Sequence, residues 1–150
     1  MEELYDGLKA KHRLPAFEVL DREFEISTID DESFLLRNIR CRIVEKIESA
    51  VNLFDDMLHP ESGFASYREA NVFSDSDRET IILLYKRLMY FNRLSKELYF
   101  DDSDELNARF INDFMKEWPE LKRSVLSFVK RLKDSWQKDI PKKEVVGYLG

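Results

Sequence analysis

The sequence predicts an all-α protein in which three long antiparallel helices form a bundle with a short N-terminal helical pair. Only four glycines and four prolines occur among 150 residues, too few for the frequent turns of a strand-rich fold. Hydrophobic residues make up 43% of the chain and charged residues 36%, a combination that suits amphipathic helices around a shared core. At this length we expect one domain over residues 1–138, followed by a C-terminal tail over residues 139–150.

The helical pair is predicted in the first 26 residues. Leu4 and Leu8 lie four residues apart in its first helix. The step from Leu14 to Pro15 ends that helix, because proline disfavours a helical conformation in the residue before it. A second helix is expected over about residues 16–26. Its apolar face consists of Phe17, Leu20 and Phe24.

The first long helix is predicted over about residues 31–58, where a His-Pro step ends it. Ser27, Thr28 and Asp30 precede it, and each of these residue types is a good N-cap. Apolar residues recur at intervals that average about 3.5, the spacing of helices packed at shallow crossing angles. They are Leu36, Ile39, Ile43, Ile47, Ala50, Phe54 and Met57.

The connection that follows, residues 60–75, is long for a loop between bundle helices. We expect it to pack against the helices, with one helical turn near residues 65–70. Ser76 and Glu79 form the pattern of a capping box, which predicts a second long helix from there to about Tyr99. The apolar side chains of the connection are Phe64, Tyr67, Val72 and Phe73.

Ser103 is the expected N-cap of the third long helix, which reaches about residue 136. Pro119 lies inside this helix, where it removes one backbone N–H and crowds the carbonyl of Met115. Because the apolar stripe keeps its phase across the proline, we predict a continuous helix kinked at Pro119, or two coaxial helices. The stripe consists of Phe110, Phe114, Trp118, Leu121, Val125, Phe128, Leu132 and Trp136.

The composition argues against several classes of protein. Cys41 is the sole cysteine, which excludes an internal disulfide and a zinc site built from cysteines. The chain begins without the apolar core of a signal peptide, and no apolar run approaches the roughly 20 residues of a membrane span. We therefore expect a cytoplasmic protein without membrane contact. No glycine-rich phosphate-binding motif occurs, and no small-molecule substrate is evident.

Neither a catalytic nor a metal-binding motif is found. His59 lies one turn after Asp55 and Asp56, but metal sites in helical bundles draw a Glu-x-x-His pattern from two helices. The other histidine, His12, has no acid at the matching position. Cys41 lies outside the apolar stripe and has no histidine near it in the sequence. We therefore predict no enzymatic activity, no cofactor and no metal.

Arg40 is predicted to be a buried charge. On a helical wheel it falls among the apolar residues of the first long helix rather than at their edge. A buried guanidinium needs a partner, so either an acid pairs with it or its end of the helix is open to solvent or a ligand. The acids expected within reach are Glu18, Glu25 and Glu117.

The stretch YKRLMYFNRLSK, residues 85–96, alternates basic and aromatic side chains within the second long helix. On a wheel its apolar residues surround the helix almost completely, which predicts burial on several sides. Tyr90 and Leu94 are therefore candidates for contact with a protein partner or a second copy. The tail either docks on its own bundle or a second copy, pairs with a partner, or frays. Its candidate contacts are Val145, Val146, Tyr148 and Leu149.

The leading functional prediction is a non-catalytic helical bundle that acts through protein–protein interaction, including formation of a homodimer. The alternative is a nucleic-acid-associated protein that uses the basic face of its last helix. Residues 116–143 hold nine Lys and Arg against four acids. The candidate nucleic-acid contacts are Lys116, Arg123, Lys130 and Arg131.

The chain also resembles a set of small, acidic, helical, uncharacterised proteins from archaeal genomes. The resemblance spans about residues 4–137 and lies in four stretches, KHRLPAFEVLDREFEIS, FLLRNIRCRIVEKIE, YKRLMYFNRLS and LKDSWQK. It implies a helical fold and carries no expectation about activity.

Overall fold

The computed structural model describes residues 1–60 and 63–138, and all regular secondary structure in these two ranges is helical. The predicted all-α class is therefore confirmed. The tail, with its candidates Val145, Val146, Tyr148 and Leu149, lies outside the described residues. The helices are α1 (Glu2–His12), α2 (Phe17–Phe24), α3 (Leu35–Leu58), α4 (Phe64–Ala70), α5 (Asp75–Phe100) and α6 (Asp104–Lys138).

The N-terminal pair is present, but α2 is shorter than predicted. Glu25 adopts the left-handed conformation, with φ of 53°, and ends α2 before a short 3-10 turn over Ile26–Thr28. Arg13 ends α1 in the same way, with φ of 56°. The buried Tyr5 then donates its hydroxyl to the carbonyl of Pro15 over 2.7 Å, which fixes the turn between the two helices.

The start of α3 differs from the sequence-based expectation, because the helix begins at Leu35 rather than near residue 31. Its N-cap is Phe34, which has a left-handed φ of 56° and makes no side-chain capping bond. The hydroxyl of Thr28 donates instead to the carbonyl of Glu25, one turn back. Polar residues in this segment thus stabilise the loop rather than the helix. The residues wrongly expected to cap α3 are Ser27, Thr28 and Asp30.

The capping box of α5 is also displaced from its predicted position at Ser76 and Glu79. The Ser74 hydroxyl accepts a hydrogen bond from the backbone N–H of Asp77 over 3.2 Å. The Asp77 carboxylate in turn accepts one from the backbone N–H of Ser74 over 3.0 Å. An aspartate therefore takes the place of the expected glutamate, and α5 begins at Asp75.

Pro119 does not interrupt α6, which is continuous over 35 residues. The predicted continuity is confirmed, whereas the kink stays a prediction. Ser103 precedes the helix, and its hydroxyl accepts a hydrogen bond from the backbone N–H of Leu106 over 3.2 Å, as expected of an N-cap. The single turn predicted between α3 and α5 is present as the short helix α4.

Contacts between α3 and α5 run in opposite order along their sequences. Near the start of α3, Arg37 binds Asp102, just beyond the end of α5. Near the end of α3, Asp55 accepts a hydrogen bond from the hydroxyl of Tyr85 over 3.4 Å. Between α5 and α6, Phe91 contacts Phe114 with ring centroids 5.2 Å apart. These contacts gather the apolar stripes of all three long helices into one core.

Aromatic rings fill the centre of this core. Phe91, Phe110 and Phe114 are fully buried and contact one another in pairs, with centroids 5.2–6.3 Å apart. Phe114 also contacts Trp118 over 5.2 Å and Phe24 of α2 over 6.1 Å. The rings of three helices thus pack at the distances that aromatic pairs favour. None of the described helices is long and apolar enough to cross a membrane.

Candidate protein-binding surface

One sector of α5 carries apolar side chains that the rest of the described chain does not cover. Leu83 is 67% exposed and Tyr90 is 54% exposed, whereas Leu94 is half-buried. At about 100° per residue these three side chains and Arg87 occupy a sector of roughly 60°. We call Leu83, Arg87, Tyr90 and Leu94 the α5 surface.

The side of α5 that faces the core lies roughly 60–160° around the helix from Leu83. Its buried apolar residues include Ile81, Leu84, Leu88, Phe91 and Leu98. The helix packs against both α3 and α6, but the sector that carries Leu83 and Tyr90 stays exposed, so α5 is not buried around its whole circumference. A helical wheel shows where apolar residues lie around α5, but it does not show which of them other helices cover.

Arg87 is held in place at one edge of the α5 surface. Its Nε and Nη2 both donate to the carboxylate of Glu117 on α6. Its guanidinium carbon also lies 5.1 Å from the ring centroid of Tyr90 and 5.3 Å from that of Phe91. The hydrogen bonds to Glu117 raise the pKa of Arg87. The charge at this edge of the surface is therefore paired and its position is fixed.

A groove of about 330 Å³ runs beside Leu83, between α5 and α6. Its walls are partly apolar, and the Arg87–Glu117 pair lies within it. Exposed leucine next to such a groove is the arrangement that amphipathic helices of partner proteins recognise. The groove is lined by Thr80, Leu83, Leu84, Arg87, Glu117, Glu120, Leu121 and Ser124.

A charged flank borders the α5 surface on the side away from Arg87. At about 100° per residue its four side chains lie roughly 40–80° from Leu83. They comprise two acids and two bases, so the flank carries no net formal charge. The flank consists of Glu79, Lys86, Arg93 and Glu97, all of them exposed.

The nucleic-acid candidates of α6 are divided by their contacts. Arg131 donates two hydrogen bonds to the carboxylate of Asp77, over 2.9 Å and 2.8 Å. These bonds hold the pKa of Asp77 well below its usual range. Lys116 lies 4.0 Å from Asp113. Arg123 and Lys130 are exposed. A carboxylate of α5 thus neutralises much of the positive charge of Arg131.

Arg40 is 3% exposed, and its partners are not the expected acids. Its Nη1 donates to the carbonyl of Ser95 over 2.5 Å and to the hydroxyl of the same residue over 2.9 Å. Glu117, one of the acids considered, binds Arg87 instead. Burial lowers the pKa of Arg40, because desolvation penalises its charged form. The guanidinium therefore links α3 to α5 from inside the protein.

The sequence reasoning missed a buried carboxylate, Glu23 of α2. It accepts a hydrogen bond from Nε1 of Trp118 over 2.8 Å and two from Nζ of Lys122, over 2.9 Å and 2.8 Å. Burial alone would raise the pKa of Glu23, but the bonds from Lys122 and Trp118 outweigh it and lower the pKa. The available signal was the spacing of Trp118 and Lys122, which lie one turn apart on the same face of α6.

Comparison with known proteins gave no match to a protein family, a curated protein or a solved structure. Within residues 1–60 and 63–138, no three His, Cys, Asp or Glu side chains come together in a group that would hold a metal ion. The α5 surface and the basic face of α6 therefore have to be judged from their own chemistry.

Proposed function

We propose that this protein is a non-catalytic bundle of three long antiparallel helices that acts by binding protein through the α5 surface. The observation that carries the proposal is the exposure of Leu83 and Tyr90 beside a groove and a fixed, paired arginine. Tyrosine and arginine are enriched among the residues that dominate protein–protein binding energies. A cytoplasmic site of action fits the single, exposed Cys41, because thiols stay reduced there.

The occupant that we propose is a second copy of this chain, because the charged flank complements itself. A two-fold axis near Lys86 and Arg87 would run the two α5 helices antiparallel. Leu83 would then face Tyr90 of the partner subunit, and Glu79 would face Arg93 of the partner subunit. Symmetry produces each pairing twice. Isologous contacts of this kind are the commonest in soluble oligomers.

The expected affinity follows from the exposed fractions. Full burial of a large apolar side chain contributes about 1.5–3 kcal/mol, and Leu83 and Tyr90 each have more than half of that area still to bury. Four such side chains in a symmetric dimer contribute about 4–7 kcal/mol, which the loss of rotational and translational freedom largely offsets. The charge pairs and the remaining contacts then determine the net free energy of dimerisation, and we expect a dissociation constant in the micromolar range.

Light scattering coupled to size exclusion tests this proposal over protein concentrations of about 1–500 µM. We expect the wild type to shift from monomer to dimer within this range. The double substitution Leu83→Ser and Tyr90→Ser should abolish the shift. Leu126→Ser is the matched control, since it removes an apolar side chain of 43% exposure from α6 instead.

Two results would contradict the proposal in different ways. A wild type that stays monomeric at the highest concentration removes the second copy as the occupant, and the α5 surface would then need a different protein. A dimer that the double substitution leaves intact removes the α5 surface itself as the binding site. Circular dichroism of both variants establishes that either result refers to folded protein.

The second candidate function is nucleic-acid binding through α6, and the exposure of Arg123 and Lys130 supports it. The pairing of Arg131 with Asp77 weakens it, because a paired guanidinium contributes less to the positive surface that phosphates attract. Retention on immobilised DNA and RNA at increasing salt is the test. Binding that falls with salt and is lost in an Arg123→Gln, Lys130→Gln variant would favour this function. No retention at low salt would exclude it.

A further inference from the structure

A second recess lies on a different side of the molecule, where the turn between α1 and α2 meets α6. Its volume is about 590 Å³, within the range of small-molecule sites. None of its lining residues belongs to the α5 surface or to the groove beside it. The lining consists of His12, Arg13, Leu14, Pro15, Val19, Asn112, Met115, Lys116 and Pro119.

The walls of this cleft are fixed to the core. Leu14 is buried, and the carbonyl of Pro15 accepts the hydrogen bond of Tyr5. Across the cleft, Nδ2 of Asn112 donates to the carbonyl of His12 over 3.1 Å, which ties the turn to α6. A ligand would therefore meet a site that is largely preformed and would lose little affinity to ordering it.

The lining of the cleft is positively charged, whereas the chain as a whole is negatively charged. The chain carries a formal net charge of -6, yet the described residues that line the cleft include two cations, Arg13 and Lys116, and no carboxylate. Asp113 lies 4.0 Å from Lys116 and is 51% exposed. The remaining lining is mostly apolar and consists of Leu14, Pro15, Val19, Met115 and Pro119.

His12 adds a polar group whose hydrogen-bonding capacity is unused. Its Nε2 is buried and has no hydrogen-bond partner among the described residues. A buried polar atom without a partner is unfavourable and is rare in folded proteins. Because the imidazole lines the cleft, it could donate a hydrogen bond to an anion bound there.

We infer that this cleft binds a small organic anion that carries an apolar body and one carboxylate or phosphate group. The apolar body lies against Leu14, Val19 and Met115, and the anionic group lies at the rim between Arg13 and Lys116. Neither part suffices alone, because Lys116 is well exposed and its attraction for a bare anion is screened by water. This inference is independent of the proposed protein binding, since the two sites share no residue.

Isothermal titration of the full chain tests the inference with four probes. Octanoate and octyl phosphate carry the apolar chain and an anion, octylammonium reverses the charge, and inorganic phosphate lacks the chain. We expect octanoate or octyl phosphate to bind with a dissociation constant of about 0.1–1 mM, as their size allows. Octylammonium should bind at least about tenfold more weakly, and inorganic phosphate should give no measurable heat. The tighter of the two anions identifies the preferred group.

Substitutions at the rim locate the binding. The double variant Arg13→Asn and Lys116→Gln should weaken binding of the better anion about tenfold, the expected order for loss of charged hydrogen bonds. Asparagine is chosen because it tolerates the left-handed backbone of residue 13. Lys130→Gln removes an exposed cation elsewhere on α6 and should leave binding unchanged.

The inference is overturned by any of three results. These are no binding of either anion, octylammonium binding as tightly as octanoate, and unchanged binding in the double variant. Thermal melts of every variant are measured alongside, and a variant with a lowered melting temperature is titrated at a temperature where it remains folded.

Discussion

The buried carboxylate of Glu23 provides the sharpest test of how α2 is held against α6. In the Glu23→Ala variant, Nε1 of Trp118 loses its hydrogen-bond partner while it remains largely buried. A hydrogen bond to a charged group contributes about 1.5–3 kcal/mol to stability. The cost of leaving the Trp118 N–H without an acceptor is part of the same loss. The ion pair with Lys122 adds little beyond this, because the lysine is 48% exposed and its charge is screened.

The expected loss in the free energy of unfolding is therefore about 2–4 kcal/mol. For a chain of this length that corresponds to a fall in melting temperature of roughly 5–15 °C. Glu23→Gln should cost less, because the amide oxygen can still accept the hydrogen bond of Trp118. Glu18→Gln is the matched control, since Glu18 is an exposed acid on the same helix.

The pH dependence separates the charge of Glu23 from its packing. The folded-state pKa of Glu23 lies below its unfolded value of about 4.3, so its charged form stabilises the protein above that pH. This contribution is lost as the pH falls through the folded-state pKa. The difference between wild type and Glu23→Gln should thus be largest near pH 7 and shrink below about pH 4.

Thermal unfolding followed by circular dichroism at several pH values measures these differences. Equal destabilisation of Glu23→Gln and the Glu18→Gln control at neutral pH would refute the assigned role of the carboxylate. A Glu23→Gln deficit that stays constant from pH 7 to pH 3 would show that shape, rather than charge, accounts for the effect.

Two further substitutions test other features of the fold. Ser74→Ala should lower the free energy of unfolding by about 1 kcal/mol, the usual cost of losing an N-cap, whereas Ser76→Ala should change it little. Equal losses in urea unfolding would mean that the capping box is not at Ser74. Arg40→Ala should cost about 2–4 kcal/mol, because a buried side chain that fills the core is removed. Arg40→Met should recover much of that loss, since it fills similar space without a buried charge. A methionine variant no more stable than the alanine variant would show that filling this space is not what Arg40 contributes.

The helices could be read from the sequence because their ends are marked by proline, acidic runs and apolar spacing. Those signals are local, and they identified α4, α6 and the end of α3. The missed boundaries of α2 and α3 have one physical cause. Glu25 and Phe34 both adopt positive φ, a conformation that few residues other than glycine favour, so neither residue marks the helix end or start beside it. No local sequence pattern indicates these conformations.

For the candidate site, too, the sequence predicted what depends on one helix and not what depends on the packing of several. The helical wheel placed Tyr90 and Leu94 on one flank of α5, because that grouping depends only on the spacing along a single helix. Whether the flank is covered depends on other helices, and its exposure emerged only from the fold. The bond between Glu23 and Trp118 spans 95 positions in the sequence, and the pairing of Arg131 with Asp77 spans 54. Contacts at such separations are set by how the helices pack together.

These long-range pairs bear on the choice between the two proposed functions. Three cations of α5 and α6 are paired with acids of the same protein. The pairs are Arg87 with Glu117, Lys122 with Glu23 and Arg131 with Asp77. Each pair joins α6 to another helix and removes charge that a phosphate backbone would need. Leu83 and Tyr90 of α5 stay exposed. A surface that is neutral overall, apolar at its centre and bordered by both signs of charge suits a protein partner better than a polyanion.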